Sequence, residues 1–346
     1  MSRLILHIGT HKTGTTSIQR FLDANRAALA ARGVLYPGYD LIGAPGHYAH
    51  IGIVNAFSGG AAPFTPEQAR AFFAAVRARM ADHDVTILSA EPFYRHFVPV
   101  TKGEVPEDPE EYWPARHAYV ERVAEMVGVP AQVVCVFRRQ DSFAQSLYQE
   151  SVKVSRQKMT FDEYLERRWF HFAFLRQAEA WDRVFPGLAA LSFERLAAGG
   201  DLPGAFCEAV GIDHAGLPRP PRANEGMHVD LVILKRVLNA TGVPRAELRR
   251  RVERLGAHLD ATRPKLAAHL KARSFFPSAK AQQAFQKGFQ DDNAALRARF
   301  MPSVPKGERI FPTAPSRTRP RYGDALDPRL LEAMLRLALD GAGAAP

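Results

Sequence analysis

The fold of this 346-residue chain is decided by one stretch of sequence, Arg3-Leu4-Ile5-Leu6-His7-Ile8-Gly9-Thr10-His11-Lys12-Thr13-Gly14-Thr15-Thr16. Residues 3–8 are short and mainly apolar, which is typical of a buried strand. From Thr15 the period changes, and apolar residues fall on one helical face until Gly33, interrupted only by Asn25. A strand, a turn with two glycines and a helix, in that order, begin an α/β unit.

The same alternation continues along the chain. Further strands are predicted over 85–89, 132–137 and 188–193, with helices between them. This pattern predicts an α/β fold, a P-loop-like three-layer sandwich with a central, mostly parallel sheet. After about residue 225 no further strand is predicted, and helices are expected over 229–239, 244–259, 262–272, 278–299 and 327–340. We therefore predict an α/β domain over 1–240 and a basic helical C-terminal extension over 241–346, packed on the core.

The glycine loop from Gly9 to Thr16 predicts a phosphate site. Glycines let successive backbone N–H groups face one anion, and the start of the following helix adds positive potential. A nucleotide P-loop, however, places Gly-Lys-Ser/Thr at its second glycine. Here Thr15 follows Gly14 and the lysine, Lys12, precedes it. A tight strand-to-helix turn without a ligand is the alternative interpretation.

The loop resembles the 5′-phosphosulfate loop of sulfotransferases that use 3′-phosphoadenosine 5′-phosphosulfate, most closely the bacterial and carbohydrate members. It departs from the aryl sulfotransferase pattern, which has proline and tryptophan where His11 and Ser17 stand. A small phenolic acceptor is therefore less expected. The resemblance implies that the donor is bound by loop residues His11, Lys12, Thr13, Gly14, Thr15 and Thr16.

A second landmark follows the strand over 132–137. The family has an arginine at the end of such a strand and a serine eight residues later, and both bind the 3′-phosphate; Arg138 and Ser146 match that spacing. An arginine fork and a helix hydroxyl can converge on one phosphate. Arg222 begins a segment that resembles a loop of bacterial members, and it either closes over the nucleotide or is a plain surface turn.

The resemblance also implies the chemistry. Lys12 is assigned to the leaving phosphate, 3′-phosphoadenosine 5′-phosphate is the product, and no metal is required. Glu91 is the first choice of general base, because similar glycan sulfotransferases carry a glutamate after the corresponding strand. Anchoring of the loop is the alternative role for Glu91. His47 and His50 are the alternative bases, and two histidines without a third nearby ligand do not predict a metal site.

Charge and composition limit the classes of partner that the protein is expected to bind. The chain carries a net charge of +10 with two cysteines, and residues 219–321 alone hold 22 basic and 8 acidic residues. Such an excess predicts an anionic partner, either an acidic acceptor, a membrane surface or nucleic acid. No membrane span or signal peptide is predicted, so we expect a cytoplasmic protein, and peripheral contact with a membrane stays open.

With these features, the resemblance implies a sulfotransferase acting on a hydroxyl of a sugar, glycan or glycolipid. Two alternatives stay open at this point. A small-molecule kinase of the P-loop class would require magnesium and ATP. A basic nucleic-acid-binding protein would show steep salt dependence, but no known nucleic-acid module is present in the sequence, so no nucleic acid is expected.

Overall fold

The computed structural model describes residues 2–57, 62–98, 106–221, 227–312, 320–323 and 325–342, with side chains up to residue 336 in the last helix. The strands are β1 (Arg3–His7), β2 (Val34–Leu35), β3 (Val85–Ser89), β4 (Ala131–Phe137), β5 (Ala189–Ser192), β6 (Arg273–Ser274) and β7 (Arg321–Tyr322). The first helices are α1 (Thr15–Ala24), α2 (Arg26–Ala30), α3 (Ile51–Phe57), α4 (Pro66–Met80), α5 (Pro92–Arg95), α6 (Pro109–Val127), α7 (Gln140–Val154), α8 (Phe161–Arg167) and α9 (Phe174–Asp182). They are followed by α10 (Phe193–Ala197), α11 (Leu202–Ala209), α12 (Val229–Leu238), α13 (Arg245–Thr262), α14 (Pro264–Lys271), α15 (Ala279–Lys287), α16 (Gln290–Phe300) and α17 (Pro328–Ala342).

Five strands form a parallel sheet in the order β2-β3-β1-β4-β5. β1 lies in its centre, where Ile5 pairs with Ile87 on one side and Gln132 on the other. This sheet, flanked by helices, confirms the predicted α/β fold. Because all five strands run in one direction, their carboxyl ends share one edge, where ligands of such sheets bind.

The chain forms two compact units that are interleaved along the sequence. The sheet unit comprises Met1–Arg139, Phe170–Ala223 and Phe289–Thr313, and the helical unit comprises Gln140–Trp169, Asn224–Gly288 and Ala314–Pro346. Apolar residues of β1, α1 and α11, among them Ile5, Phe21 and Phe206, are buried in one core of the sheet unit. The predicted division into 1–240 and 241–346, which concerns domains of continuous sequence, stays a prediction.

Among the local features that differ from the sequence-based expectation, two are held by specific side-chain contacts. The helix beginning at Thr15 breaks at Asn25, whose side-chain amide donates to the carbonyls of Phe21 (2.8 Å) and Pro218 (3.1 Å). In the helical unit, where no strand is predicted, β6 and β7 form a short parallel pair. The fully buried carboxylate of Asp230 binds the guanidinium groups of both Arg273 and Arg321, which fixes the two strands together.

Among the described residues, no helix is both long and apolar enough to cross a bilayer.

Candidate functional site

The loop between β1 and α1 has a left-handed backbone at three positions. Their φ angles are +46° at Gly9, +65° at Lys12 and +75° at Gly14. Glycine adopts such angles freely, but for a residue with a Cβ they cost about 1–2 kcal/mol. Within the described part of the chain, Lys12 is the only residue other than glycine with positive φ. Left-handed residues in a turn direct backbone N–H groups into a concave anion site, so this conformation favours anion binding.

Hydrogen bonds from the sheet hold this loop in shape. The Thr13 hydroxyl donates to the Thr10 carbonyl (2.6 Å), and the Thr10 hydroxyl donates to the Val136 carbonyl in β4 (2.9 Å). Arg138, directly after β4, donates from Nη1 to the Lys12 carbonyl (3.0 Å) and lies over the Phe193 ring. Arg138 thus helps to hold the unfavourable backbone of Lys12. The family resemblance assigns both residues to the same donor molecule.

Helix α1 begins at the end of the loop. Its first amides, at Thr15 and Thr16, have no acceptor within the helix, and the helix dipole adds positive potential there. Gly14 allows the close approach of α11, because a Cβ at this position would lie 2.1 Å from Leu202 Cδ2. Loop and helix start together have the geometry that favours a phosphate-like anion.

Glu91 links the end of β3 to the start of α1. Its side chain is buried and accepts hydrogen bonds from the Thr15 hydroxyl and from Gln19 Nε2 (3.3 Å). The hydroxyl hydrogen of Thr15 is therefore directed to Glu91. An ionised carboxylate has about four lone-pair positions, so two remain for other partners. These hydrogen bonds join Glu91 to the start of α1, and its roles as loop anchor or general base stay predictions.

A polar network that the sequence-based prediction does not include lies beneath the loop. His7 Nδ1 is 2.8 Å from Ser89 Oγ, and Gln19 Nε2 donates to the same hydroxyl at 3.1 Å. Burial lowers the pKa of His7 to about 3, so its imidazole is neutral at physiological pH. The sequence does contain a signal for this contact. His7 and Ser89 each end an apolar strand, and parallel pairing places the two residues side by side.

His11 is also neutral at the site. Burial lowers the pKa of its imidazole, and the charge of Arg95 lowers it further. Its Nε2 is buried and has no hydrogen-bond partner among the described residues. His11 therefore has one buried ring nitrogen whose hydrogen bond no described residue satisfies.

The alternative bases have different surroundings. His50 is almost fully buried; its Nδ1 accepts from the Ser89 amide (2.9 Å) and its Nε2 donates to the Pro37 carbonyl (2.8 Å). Burial lowers the pKa of His50 to about 4. His47 is exposed, stacks on Tyr48, and accepts from the Ala49 amide at 3.0 Å. Both nitrogens of His50 are occupied, so of the two histidines only His47 is accessible to an acceptor.

No protein-family model matches this chain, and no curated protein sequence matches it. Among solved structures, it is similar to a sulfotransferase from Alicyclobacillus acidocaldarius. The TM-score is 0.39 at 13% sequence identity, and the match covers 73% of this chain and 96% of that chain.

The remaining predicted ligands lie elsewhere in the chain. Ser146 is half-buried in α7 of the helical unit, and its role beside Arg138 stays a prediction. Arg222 lies outside the described residues. Across the described ranges, no three His, Cys, Asp or Glu side chains group as a metal site requires.

Proposed function

We propose that this chain is a sulfotransferase that moves a sulfuryl group from 3′-phosphoadenosine 5′-phosphosulfate to a hydroxyl group of a sugar, glycan or glycolipid. The observation that carries the proposal is the left-handed backbone of Lys12 in the anion loop, held by Arg138. Strain of this kind persists where the surroundings enforce it, and it concentrates at ligand sites.

The position of the lysine supports a phosphosulfate donor over magnesium-ATP. In a nucleotide P-loop the lysine and a magnesium-binding hydroxyl follow the second glycine. Here Lys12 precedes Gly14, and the Thr15 hydroxyl that follows it donates to Glu91. Because of this residue order and this hydrogen bond, the loop is better suited to an anion whose charge is neutralised by the protein than to magnesium-ATP.

The chain's own groups then have separate roles. The bound donor supplies the sulfuryl group, whose bond to phosphate breaks as the acceptor oxygen attaches to sulfur. Backbone amides of the loop and of Thr15 and Thr16 bind the 5′-phosphosulfate, and the Lys12 ammonium stabilises charge on the leaving phosphate. Arg138 binds the 3′-phosphate, with Ser146 and Arg222 as further ligands.

The acceptor side is assigned to Glu91, which receives the acceptor proton. Its carboxylate contacts the start of α1, next to the anion loop, and is withdrawn from bulk water. Burial there favours proton transfer over exchange with solvent. His47 is the alternative proton acceptor, because its ring is exposed.

Ligand-dependent thermal stability tests the donor. At a ligand concentration about a hundred times Kd, binding stabilises a protein by about 2.7 kcal/mol. We expect 3′-phosphoadenosine 5′-phosphate to raise Tm by several degrees without metal, and ATP to raise it far less, with or without magnesium. Transfer from radiolabelled donor to a panel of sugars and glycolipids then identifies the acceptor. Stronger stabilisation by magnesium-ATP would overturn the proposal in favour of a kinase.

A further inference from the structure

Nearly all of the net charge belongs to the helical unit. Its three segments hold 23 basic and 14 acidic residues, a net charge of +9, whereas the sheet unit holds 23 basic and 22 acidic residues, a net charge of +1. The donor loop, Glu91 and Arg138 all belong to the nearly neutral unit. The charge of the helical unit therefore needs a separate explanation.

A basic cavity is present where α14 and α17 begin. It has a volume of about 260 Å³ and is lined by Arg263, Lys265, Leu266, Arg329 and Glu332. Within the described part of the chain, none of its three cationic side chains has an ion pair with a carboxylate. The single acid, Glu332, is paired with Arg336 at 2.8 Å. The cavity thus has three cationic side chains that form no ion pair with a described carboxylate, and enough room to bind an anionic group such as a phosphate.

Two exposed leucines lie on α17, the helix that contributes Arg329 and Glu332 to this cavity. Leu331 is 43% exposed and Leu335 is 64% exposed, and a spacing of four residues places both on one face of the helix. Leu330 and Ala333 are buried in the core of the helical unit, so α17 packs through a different face. Only four large apolar side chains of the described residues are exposed, and two of them are here.

We propose that this face, formed by the cavity and the two leucines, binds the surface of an anionic phospholipid membrane. Leu331 and Leu335 enter the interface between headgroups and acyl chains, and a lipid phosphate lies in the cavity among the three cations. Apolar and cationic side chains side by side on a helix are typical of interfacial membrane helices. A second copy of the chain fits less well, because each helical unit carries the same net charge of +9.

Co-sedimentation of the full chain with vesicles tests this surface. We expect binding to vesicles of phosphatidylcholine with about a third phosphatidylglycerol, and little binding to phosphatidylcholine alone. Replacing Arg263, Lys265 and Arg329 by Ala should weaken binding on the order of a hundredfold. Replacing Leu331 and Leu335 by Ser should weaken it about tenfold or more.

Matched variants elsewhere in the same unit show whether vesicles bind at this particular surface or respond only to the total charge of the unit. Arg245, Arg250 and Arg254 are exposed on α13, and their replacement by Ala removes the same charge. Val237 is 53% exposed on α12, so Val237→Ser is the control for the leucines. We expect these controls to bind vesicles within about threefold of the unmodified chain. Equal losses in the control and cavity variants would overturn the proposal.

A fluorescent probe reports insertion directly. Both native cysteines are buried, so an environment-sensitive dye reacts at Leu335→Cys or, as control, at Val237→Cys. Anionic vesicles should shift the emission to the blue only for the dye at 335. A dimer that the leucine variants abolish, binding of DNA in preference to vesicles, or equal binding to neutral vesicles would each contradict the proposal. None of these outcomes depends on sulfuryl transfer, so the proposed function is tested separately.

Discussion

Lys12 combines an unfavourable backbone with a side chain that we propose to contact the donor. A residue with a Cβ at φ +65° is destabilised by about 1–2 kcal/mol, and the bond from Arg138 to its carbonyl helps to hold it there. Glycine could occupy this position without strain, as it does at Gly9 and Gly14. The presence of lysine instead indicates that its ammonium group contributes something that folding does not require.

Lys12→Gly separates the two contributions. The glycine keeps the backbone conformation and the carbonyl that binds Arg138, and it removes only the side chain. Relief of strain is partly offset by the entropy of glycine in the unfolded chain, so the free energy of unfolding should stay equal or rise by up to about 1 kcal/mol. Transfer from labelled donor should fall about a hundredfold or more. Urea unfolding and a single-turnover assay measure the two effects.

Lys12→Ala is the matched control for this prediction. It removes the same ammonium group but keeps a Cβ at positive φ, so its activity should fall as far while its stability does not rise. A Lys12→Gly protein with near-normal transfer would contradict the assignment of Lys12 to the leaving phosphate.

At the scale of elements, Glu91 couples β3 to α1. Because Thr15 and Gln19 both donate to it, the carboxylate helps to fix where α1 begins. Its two roles, anchor and general base, predict different kinetics. Glu91→Gln keeps an acceptor for the Thr15 hydroxyl but cannot take a proton at neutral pH. If Glu91 is the general base, this variant should lower kcat about a hundredfold or more and change KM for the donor little.

Gln19→Met is the comparison for Glu91→Gln. It removes the hydrogen bonds of Gln19 to Glu91 and to the Ser89 hydroxyl and leaves the carboxylate, so kcat should stay within about tenfold. Equal loss of kcat in both variants, with equal loss of donor affinity, would assign Glu91 to anchoring alone.

The elements also show what periodicity can and cannot predict. Apolar runs and glycines located β1, β3, β4 and β5, and the ends of three of them supplied Lys12, Glu91 and Arg138. β2 has only two residues, which is too short for any period. At the break, Asn25 also bonds to Pro218, 193 residues away, and no local pattern encodes that contact.

The candidate site also contains some features that the sequence could predict and others that it could not. The spacing of Gly9, Lys12 and Gly14 predicted an anion loop, because the chemistry is local in sequence. The contact between Ser89 and His7 arises only when β1 and β3 pair in register. Likewise, the sequence could place lysine in the loop but not its φ angle, which depends on the hydrogen bond from Arg138.

At the scale of the whole molecule, the two units should respond differently to salt. The net charge of the sheet unit is +1 and that of the helical unit is +9, so a long-range field acts mainly at the helical unit. The proposed vesicle binding through Arg263, Lys265 and Arg329 would take place at the surface, where ions screen charges within about 10 Å at 0.1 M salt. The proposed donor binding would use hydrogen bonds in a partly buried site, where screening is weaker.

Raising sodium chloride from about 0.05 M to about 0.5 M should therefore weaken binding to anionic vesicles by more than tenfold. Binding of 3′-phosphoadenosine 5′-phosphate should weaken several-fold less, because its ligands are a few placed groups and not the field of the molecule. Sedimentation and calorimetry across one salt series measure both. Equal salt dependence for the two ligands would mean that the charge of the helical unit also serves the donor, and that the two functions share one electrostatic field.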